Sequence, residues 1–221
     1  VISDVDDTIL RSYITSVVKM AMEMLLKNAY TRATFGGVPA FYQALHAGMG
    51  GKERNPIFYV SLSPWNYYNL LSQFLEINEI PSGPLLLRDY GLHTFTSLGG
   101  PSPKRALIQE LLDTYPTLPF VLLGDSGQHD PEIYAEVVRE NPRRILAIYI
   151  RDVSEGTDAE RAAAIALLGD ELRELRVDML LSGATADFAA HAAAKGLILP
   201  IDPKEWETVG EGPAPDVREG E

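Results

Sequence analysis

Val1-Ile2-Ser3-Asp4-Val5-Asp6-Asp7-Thr8-Ile9 is the stretch on which the reading of this chain turns. A short apolar run passes into three carboxylates and a threonine within five residues, Asp4 to Thr8. Apolar residues followed at once by Asp-x-Asp predict a buried parallel strand that stops at a sheet's C-terminal edge, where open α/β sheets bind ligands. Like charges packed this closely repel, so the cluster needs a compensating cation. A hard, oxygen-preferring ion such as Mg²⁺ fits best. The competing reading is an Asp-rich turn that caps a helix near Thr8.

Composition narrows the field. The chain has 221 residues, enough for one domain with a substantial core, and its 46% hydrophobic and 23% charged content is that of an ordinary globular protein. A net charge of −12 argues against a nucleic-acid partner, because phosphate backbones attract basic surfaces. With no cysteine, disulfides and thiolate metal sites are excluded. No run is apolar for long enough to predict a bilayer span.

Outward from the first strand, residues 12–34 read as a helix with apolar residues on more than one stripe, Lys19, Glu23 and Lys27 marking its polar side. Gly36-Gly37 breaks it, and Pro39 opens a second, short helix. Residues 57–62 predict a second strand, with Ser63 as N-cap and Pro64 in the first turn of the helix that follows. A third strand at 85–87 runs into Arg88-Asp89, and Ser102-Pro103 starts a helix over 103–114. A fourth strand at 120–123 leads into Gly-Asp-Ser-Gly-Gln-His-Asp, with Asp130-Pro131 as the next helix start. Residues 145–150 and 179–181 predict two more strands, and 158–175 and 185–195 two more helices. The alternation predicts a parallel sheet with helices on both faces. Asp4, Ser61, Arg88, Asp125 and Arg151 all fall at or just beyond strand C-termini, so independent strands deliver polar groups to one edge.

Asp4, Asp6, Ser61, Lys104 and Asp125 occur in an order that resembles the haloacid-dehalogenase-type hydrolase superfamily. The blocks Ile2–Ile9, Phe35–Tyr42, Tyr59–Trp65, Leu87–Asp89, Gly124–Tyr134 and Ile148–Val153 are similar to the catalytic domain of the actin-patch-associated phosphatidate phosphatases, distant relatives of lipin. The resemblance covers residues 1 to about 200 and implies a Rossmannoid parallel sheet, a helical cap-type insertion after strand one, and Mg²⁺-dependent phosphatase chemistry. The expected organisation is a catalytic domain over 1–202, the insertion at 11–50, and an acidic Gly- and Pro-rich tail at 203–221 that reads as disordered.

Phosphate-ester cleavage needs a nucleophile, an acid for the leaving alkoxide, and positive charge on the transferring oxygens. The resemblance makes Asp4 the nucleophile, through an aspartyl-phosphate, and Asp6 the general acid and base, whose backbone carbonyl also meets the metal. Asp7 reads as turn chemistry. Ser61, at the strand end, is preferred over Ser63 for phosphate binding. Lys104 falls in a first helical turn, where the dipole disfavours a cation, so an anionic partner is expected; in relatives it binds the phosphoryl group and the nucleophile. Asp125 is the expected further metal carboxylate. Asp130 is either a ligand, direct or once removed, or the N-cap before Pro131. The metal set is therefore Asp4, Asp6, Asp125 and Asp130, holding Mg²⁺. His46, His93, His129 and His191 read as structural or loop residues, and Trp65 and Tyr67 as core or rim. Arg88 and Arg151 either meet phosphate or pair with Asp89 and Asp152.

The expected substrate is phosphatidate or a related lipid phosphate, with a soluble phosphomonoester, or a non-catalytic phosphatidate-binding module, as alternatives. Residues 17–30 are the candidate for peripheral membrane contact on an otherwise cytoplasmic protein. Val1 already lies inside what reads as a strand, so sequence upstream of it, a signal peptide included, is expected as an open alternative.

Overall fold

The structure, a computed structural model, describes residues 1–5, 8–9, 36–88, 102–154 and 156–200. Asp6, the helix read at 12–34 with its proposed membrane stretch, Asp89, His93 and the tail from 203 lie outside the described residues, as does the side chain of Arg88.

The described elements run β1 (Ile2–Asp4), α1 (Val38–Ala47), β2 (Phe58–Pro64), a 3₁₀ turn (Trp65–Tyr67), α2 (Tyr68–Ile77), β3 (Leu85–Arg88), α3 (Pro103–Thr114), β4 (Phe120–Asp125), α4 (Asp130–Glu140), β5 (Ile145–Arg151), α5 (Ala159–Glu174), β6 (Asp178–Ser182) and α6 (Thr185–Ala194). The six strands form one parallel sheet in the order β3-β2-β1-β4-β5-β6. That is the doubly wound arrangement the alternation predicts. The chain order reverses between β1 and β4, which opens a crevice at their C-terminal ends.

Alternation along the strands feeds two apolar cores. On one face Tyr59, Leu123 and Tyr149 pack with Phe41 of α1, Leu71 of α2 and Phe188 of α6. On the other, Ile2, Leu122 and Ile148 pack with Ile108 of α3, Val137 of α4 and Leu172 of α5. A sheet covered on both sides needs apolar residues at consecutive positions, and Phe120 to Leu123 are all buried.

Helix starts follow local chemistry in two cases. The Ser102 hydroxyl accepts from the Arg105 N–H at 3.1 Å with Pro103 in the first turn, and the Asp158 carboxylate accepts from the Arg161 N–H at 2.9 Å. Two predicted starts are corrected. Ser63 is not an N-cap: β2 continues through Pro64, whose extended backbone (φ −60°, ψ 148°) leads into the 3₁₀ turn, and α2 starts only at Tyr68. The strand runs on because it keeps pairing with β3 across an irregular stretch, Val60 facing Leu86 and Pro64 facing Arg88. Asp130 is not an N-cap either. It is the first residue of α4, His129 holds the capping position without a side-chain bond, and the Asp130 carboxylate points to the crevice instead.

Candidate active site at the C-terminal edge of the sheet

β1 ends on Asp4, and the sheet seals that residue to 2% exposure. One carboxylate oxygen, Oδ1, lies 2.8 Å from Lys104 Nζ, and the other accepts from the Thr8 hydroxyl at 3.3 Å. Behind it, the Ser3 hydroxyl donates to the Asp4 carbonyl at 2.6 Å and lies 2.6 Å from the buried Tyr42 hydroxyl. With the serine proton committed to the carbonyl, Tyr42 donates to Ser3. The backbone that presents Asp4 is thus braced from α1.

Lys104 enters from the first turn of α3, where the dipole opposes its charge, and its compensation is anionic as expected. Besides Asp4 it meets Asp130 Oδ1 at 2.5 Å. Burial by itself would push the ammonium's pKa down, and that is the largest single influence, but Asp4 and Asp130 together outweigh it and hold the pKa above the ordinary lysine value.

Asp125 closes β4, fully buried, in register with Arg151 on β5. Its Oδ1 accepts the Gly127 and Gln128 N–H groups at 2.7 and 3.0 Å. Asp130 reaches back to the same strand end, its Oδ2 accepting the Asp125 N–H at 3.2 Å. Gly124 makes that approach possible. A Cβ there would lie 2.5 Å from Asp130 Oδ2 and 2.8 Å from Tyr134.

Asp4, Asp125 and Asp130 can each bring an oxygen within 4.8 Å of the others, and all are buried. Among the described residues, three buried carboxylates, carrying three formal negative charges, gather around one ammonium. Hard oxygen donors with that charge fit a divalent cation of the Mg²⁺, Mn²⁺ or Ca²⁺ class, with no soft ligand among them. A cleft of about 560 Å³ opens beside the cluster, lined by Leu62, Ser102, Lys104, His129 and Asp130, and lies within the usual volume range of ligand sites.

Ser61 lies one residue beyond the β2 partner of Asp4, fully buried, and its hydroxyl accepts the Ser63 N–H at 2.9 Å. The structure thus brings Asp4, Lys104, Asp125 and Asp130 together and sets Ser61 beside them within the adjoining strand β2, three residues before its end at Pro64 rather than at the strand end the sequence suggests. Asp6 lies outside the described residues. Arg151 is buried, donates to the Gly183 carbonyl and the Thr185 hydroxyl at 2.8 and 2.9 Å, and lies over the Phe188 ring. The alternative pairing of Arg151 with Asp152 is not formed: Asp152 accepts from Ser154 and Gly156. His46 bonds the Asn55 carbonyl and His191 the Tyr149 hydroxyl, so both are structural. Trp65 is a rim residue, 58% exposed against Tyr68. Thr8 stands out in the sequence as the threonine that closes Asp4-x-Asp6-x-Thr8, though its bond to Asp4 does not follow from the pattern. For the Ser3–Tyr42 pair the sequence carries no signal.

Residues 1–152 match the family model described as the catalytic domain of phosphatidate phosphatase APP1. The chain is 35% identical over 152 residues to phosphatidate phosphatase APP1 of Saccharomyces cerevisiae, an alignment covering 68% of this chain and 25% of that protein. It is 28% identical over 155 residues to an uncharacterised protein of Schizosaccharomyces pombe, covering 69% of this chain and again 25% of the relative. The chain thus spans about a quarter of the length of these curated relatives. No solved structure gives a significant match. The matched segment contains Asp4, Ser61, Lys104, Asp125 and Asp130 and stops before α5.

Proposed function

The chain belongs to the family of the phosphatidate phosphatase APP1 catalytic domain, and on that premise we propose that it hydrolyses a phosphate monoester, with phosphatidate or a related lipid phosphate as substrate and diacylglycerol and phosphate as products. The observation that carries the reading is the buried Asp4 carboxylate held against Lys104, with the Asp125 and Asp130 carboxylates converging on the same point.

In this reading an Asp4 oxygen attacks phosphorus as the bond from phosphorus to the alcohol oxygen breaks, and Asp6 gives its proton to the departing alkoxide. Water, deprotonated by Asp6, then attacks the aspartyl-phosphate at phosphorus, releases phosphate and returns both side chains to their starting states. Lys104 orients Asp4 through the 2.8 Å contact and places positive charge beside the transferring oxygens. Thr8 fixes the second Asp4 oxygen, and Ser61 is the proposed hydroxyl donor to the phosphoryl group. Mg²⁺ is the proposed ion: held by Asp4, Asp6, Asp125 and Asp130, it supplies charge neutralisation for the phosphoryl oxygens when bound. Residues 17–30 remain the proposed membrane contact of a cytoplasmic, peripherally bound protein. Among the described residues no helix is long and apolar enough to cross a membrane.

The test is phosphate release from dispersed phosphatidate and from soluble phosphomonoesters, each with Mg²⁺ and with chelator. Mg²⁺-dependent turnover that favours phosphatidate is expected. Turnover of soluble esters alone would replace the substrate, and phosphatidate binding without turnover would replace the enzymatic reading.

A further inference from the structure

Arg161 stands in the first turn of α5, beyond the residues that match the family model. A guanidinium there opposes the helix dipole, as Lys104 does in α3, and like Lys104 it has anionic and carbonyl partners. Its Nε donates to the Ser126 carbonyl at 2.9 Å and its Nη2 to the Gln128 carbonyl at 2.7 Å. Nη2 also meets Glu132 Oε2 at 2.9 Å, while Nη1 donates to Glu132 Oε1. The side chain is only 23% exposed.

All of these partners lie on the connection between Asp125 and Asp130 or on the first turn of α4. The Ser126 carbonyl and the Gly127 N–H are the two ends of one rigid peptide plane. Arg161 grips the oxygen end, and the N–H end donates to Asp125 Oδ1 at 2.7 Å. A cation on the oxygen of a peptide also polarises its N–H toward the carboxylate. The same loop is fixed from β5, where the Ser126 N–H donates to the Arg151 carbonyl at 2.9 Å and the Ser126 hydroxyl accepts the Val153 N–H at 3.2 Å. Glu132 lies two residues beyond Asp130 on the same helical turn, so the fork-shaped contact to Glu132 sets the other end of the connection.

We propose that Arg161 is a positioning residue for divalent-cation binding: through the Ser126 and Gln128 carbonyls it clamps the connection that orients Asp125 and leads to Asp130, holding the two carboxylates at a fixed separation. The proposal rests on the reading of Asp4, Asp125 and Asp130 as a metal site. An ordinary surface ion pair between Arg161 and Glu132 would leave metal affinity almost untouched, since exposed pairs are worth only about 0.2–1 kcal/mol. A clamp on the groups that orient metal ligands is worth roughly 10–100-fold in affinity.

The experiment is calorimetric titration of the 221-residue chain with Mg²⁺ or Mn²⁺, without substrate, alongside thermal melts. Arg161→Met keeps the stem and removes every polar contact, and its metal dissociation constant is expected to rise about 10–100-fold. Glu132→Gln abolishes the ion pair but leaves both carbonyl contacts, so its rise should be much smaller. Arg173→Met, which removes the exposed Arg173–Asp170 pair on the same helix, should bind metal like the wild type. If Arg161→Met fails to fold, Arg161→Lys takes its place, and an affinity between wild type and the carbonyl-free expectation is predicted. Wild-type metal affinity in a folded Arg161 variant overturns the proposal. So does a Glu132→Gln loss equal to that of Arg161→Met, which would make the ion pair the operative contact. Absence of cation binding by the wild type would instead overturn the metal reading on which the proposal stands.

Discussion

Replacing Lys104 by Met removes one buried positive charge and keeps most of the side chain's bulk. The ammonium lies 2.8 Å from Asp4 Oδ1 and 2.5 Å from Asp130 Oδ1, with its side chain 3% exposed. Two unit charges 4 Å apart attract by roughly 4 kcal/mol at an effective dielectric constant of about 20, and both contacts here are shorter. Desolvation of the three groups offsets much of that gain. Loss of one partner nevertheless strands the others, at a cost of about 3–5 kcal/mol. For a chain of this size, that corresponds to a melting temperature lower by roughly 6–20 °C. The folded-state pKa of Lys104 is raised, so its stabilising contribution is complete below the ordinary lysine value of 10.5 and disappears only as pH rises through the higher folded value. The Lys104→Met deficit should therefore be constant across neutral pH. Melts with chelator and with Mg²⁺ provide the assay. The deficit is expected in chelator and should shrink with Mg²⁺, because a divalent cation neutralises the stranded carboxylates. Turnover with Mg²⁺ should still fall about 10²–10³-fold, since the charge beside the transferring oxygens is gone. A Lys104→Met protein that melts like the wild type in chelator would refute the reasoning, because the carboxylates would then have no need of the ammonium.

Asp4→Asn preserves shape and removes the attacking charge; phosphate release should drop by several orders of magnitude while the melting curve shows a folded protein. Gly124→Ala forces a methyl group to within 2.8 Å of Asp130 Cβ, so an unfolding free energy lower by about 1–3 kcal/mol and weaker cation binding are expected in denaturant and calorimetric titrations. Asp125→Ala should weaken Mg²⁺ binding more than Asp130→Ala, because the Lys104 ammonium on Asp130 Oδ1 competes with a metal ion for that carboxylate; calorimetry of both variants checks the order.

Much of this site was legible because its signals are local. An apolar run into Asp-x-Asp marks a strand end wherever that strand lies in a sheet, and Lys104 opposed its helix dipole in the sequence alone. The same reasoning applied to Arg161 would have flagged it, yet what the arginine grips is 33 to 35 residues away and has no sequence signature. Ser63 and Asp130 show how a local rule fails. Each stands before a proline and reads as a cap, but strand pairing carried β2 past Ser63, and Lys104 with the Asp125 N–H drew the Asp130 carboxylate away from its own helix end.

The sequence by itself determined the alternation of strands and helices and the placing of candidate carboxylates and a lysine at strand ends and helix starts, since periodicity and charge placement are properties of neighbouring residues. The order β3-β2-β1-β4-β5-β6, the bracing of Ser3 by Tyr42 and the clamp of Arg161 on the Asp125 loop were decided only by the tertiary structure. Those depend on which surfaces meet once both faces of the sheet are buried, and groups distant in the chain acquire hydrogen-bond partners only when packing excludes water from between them.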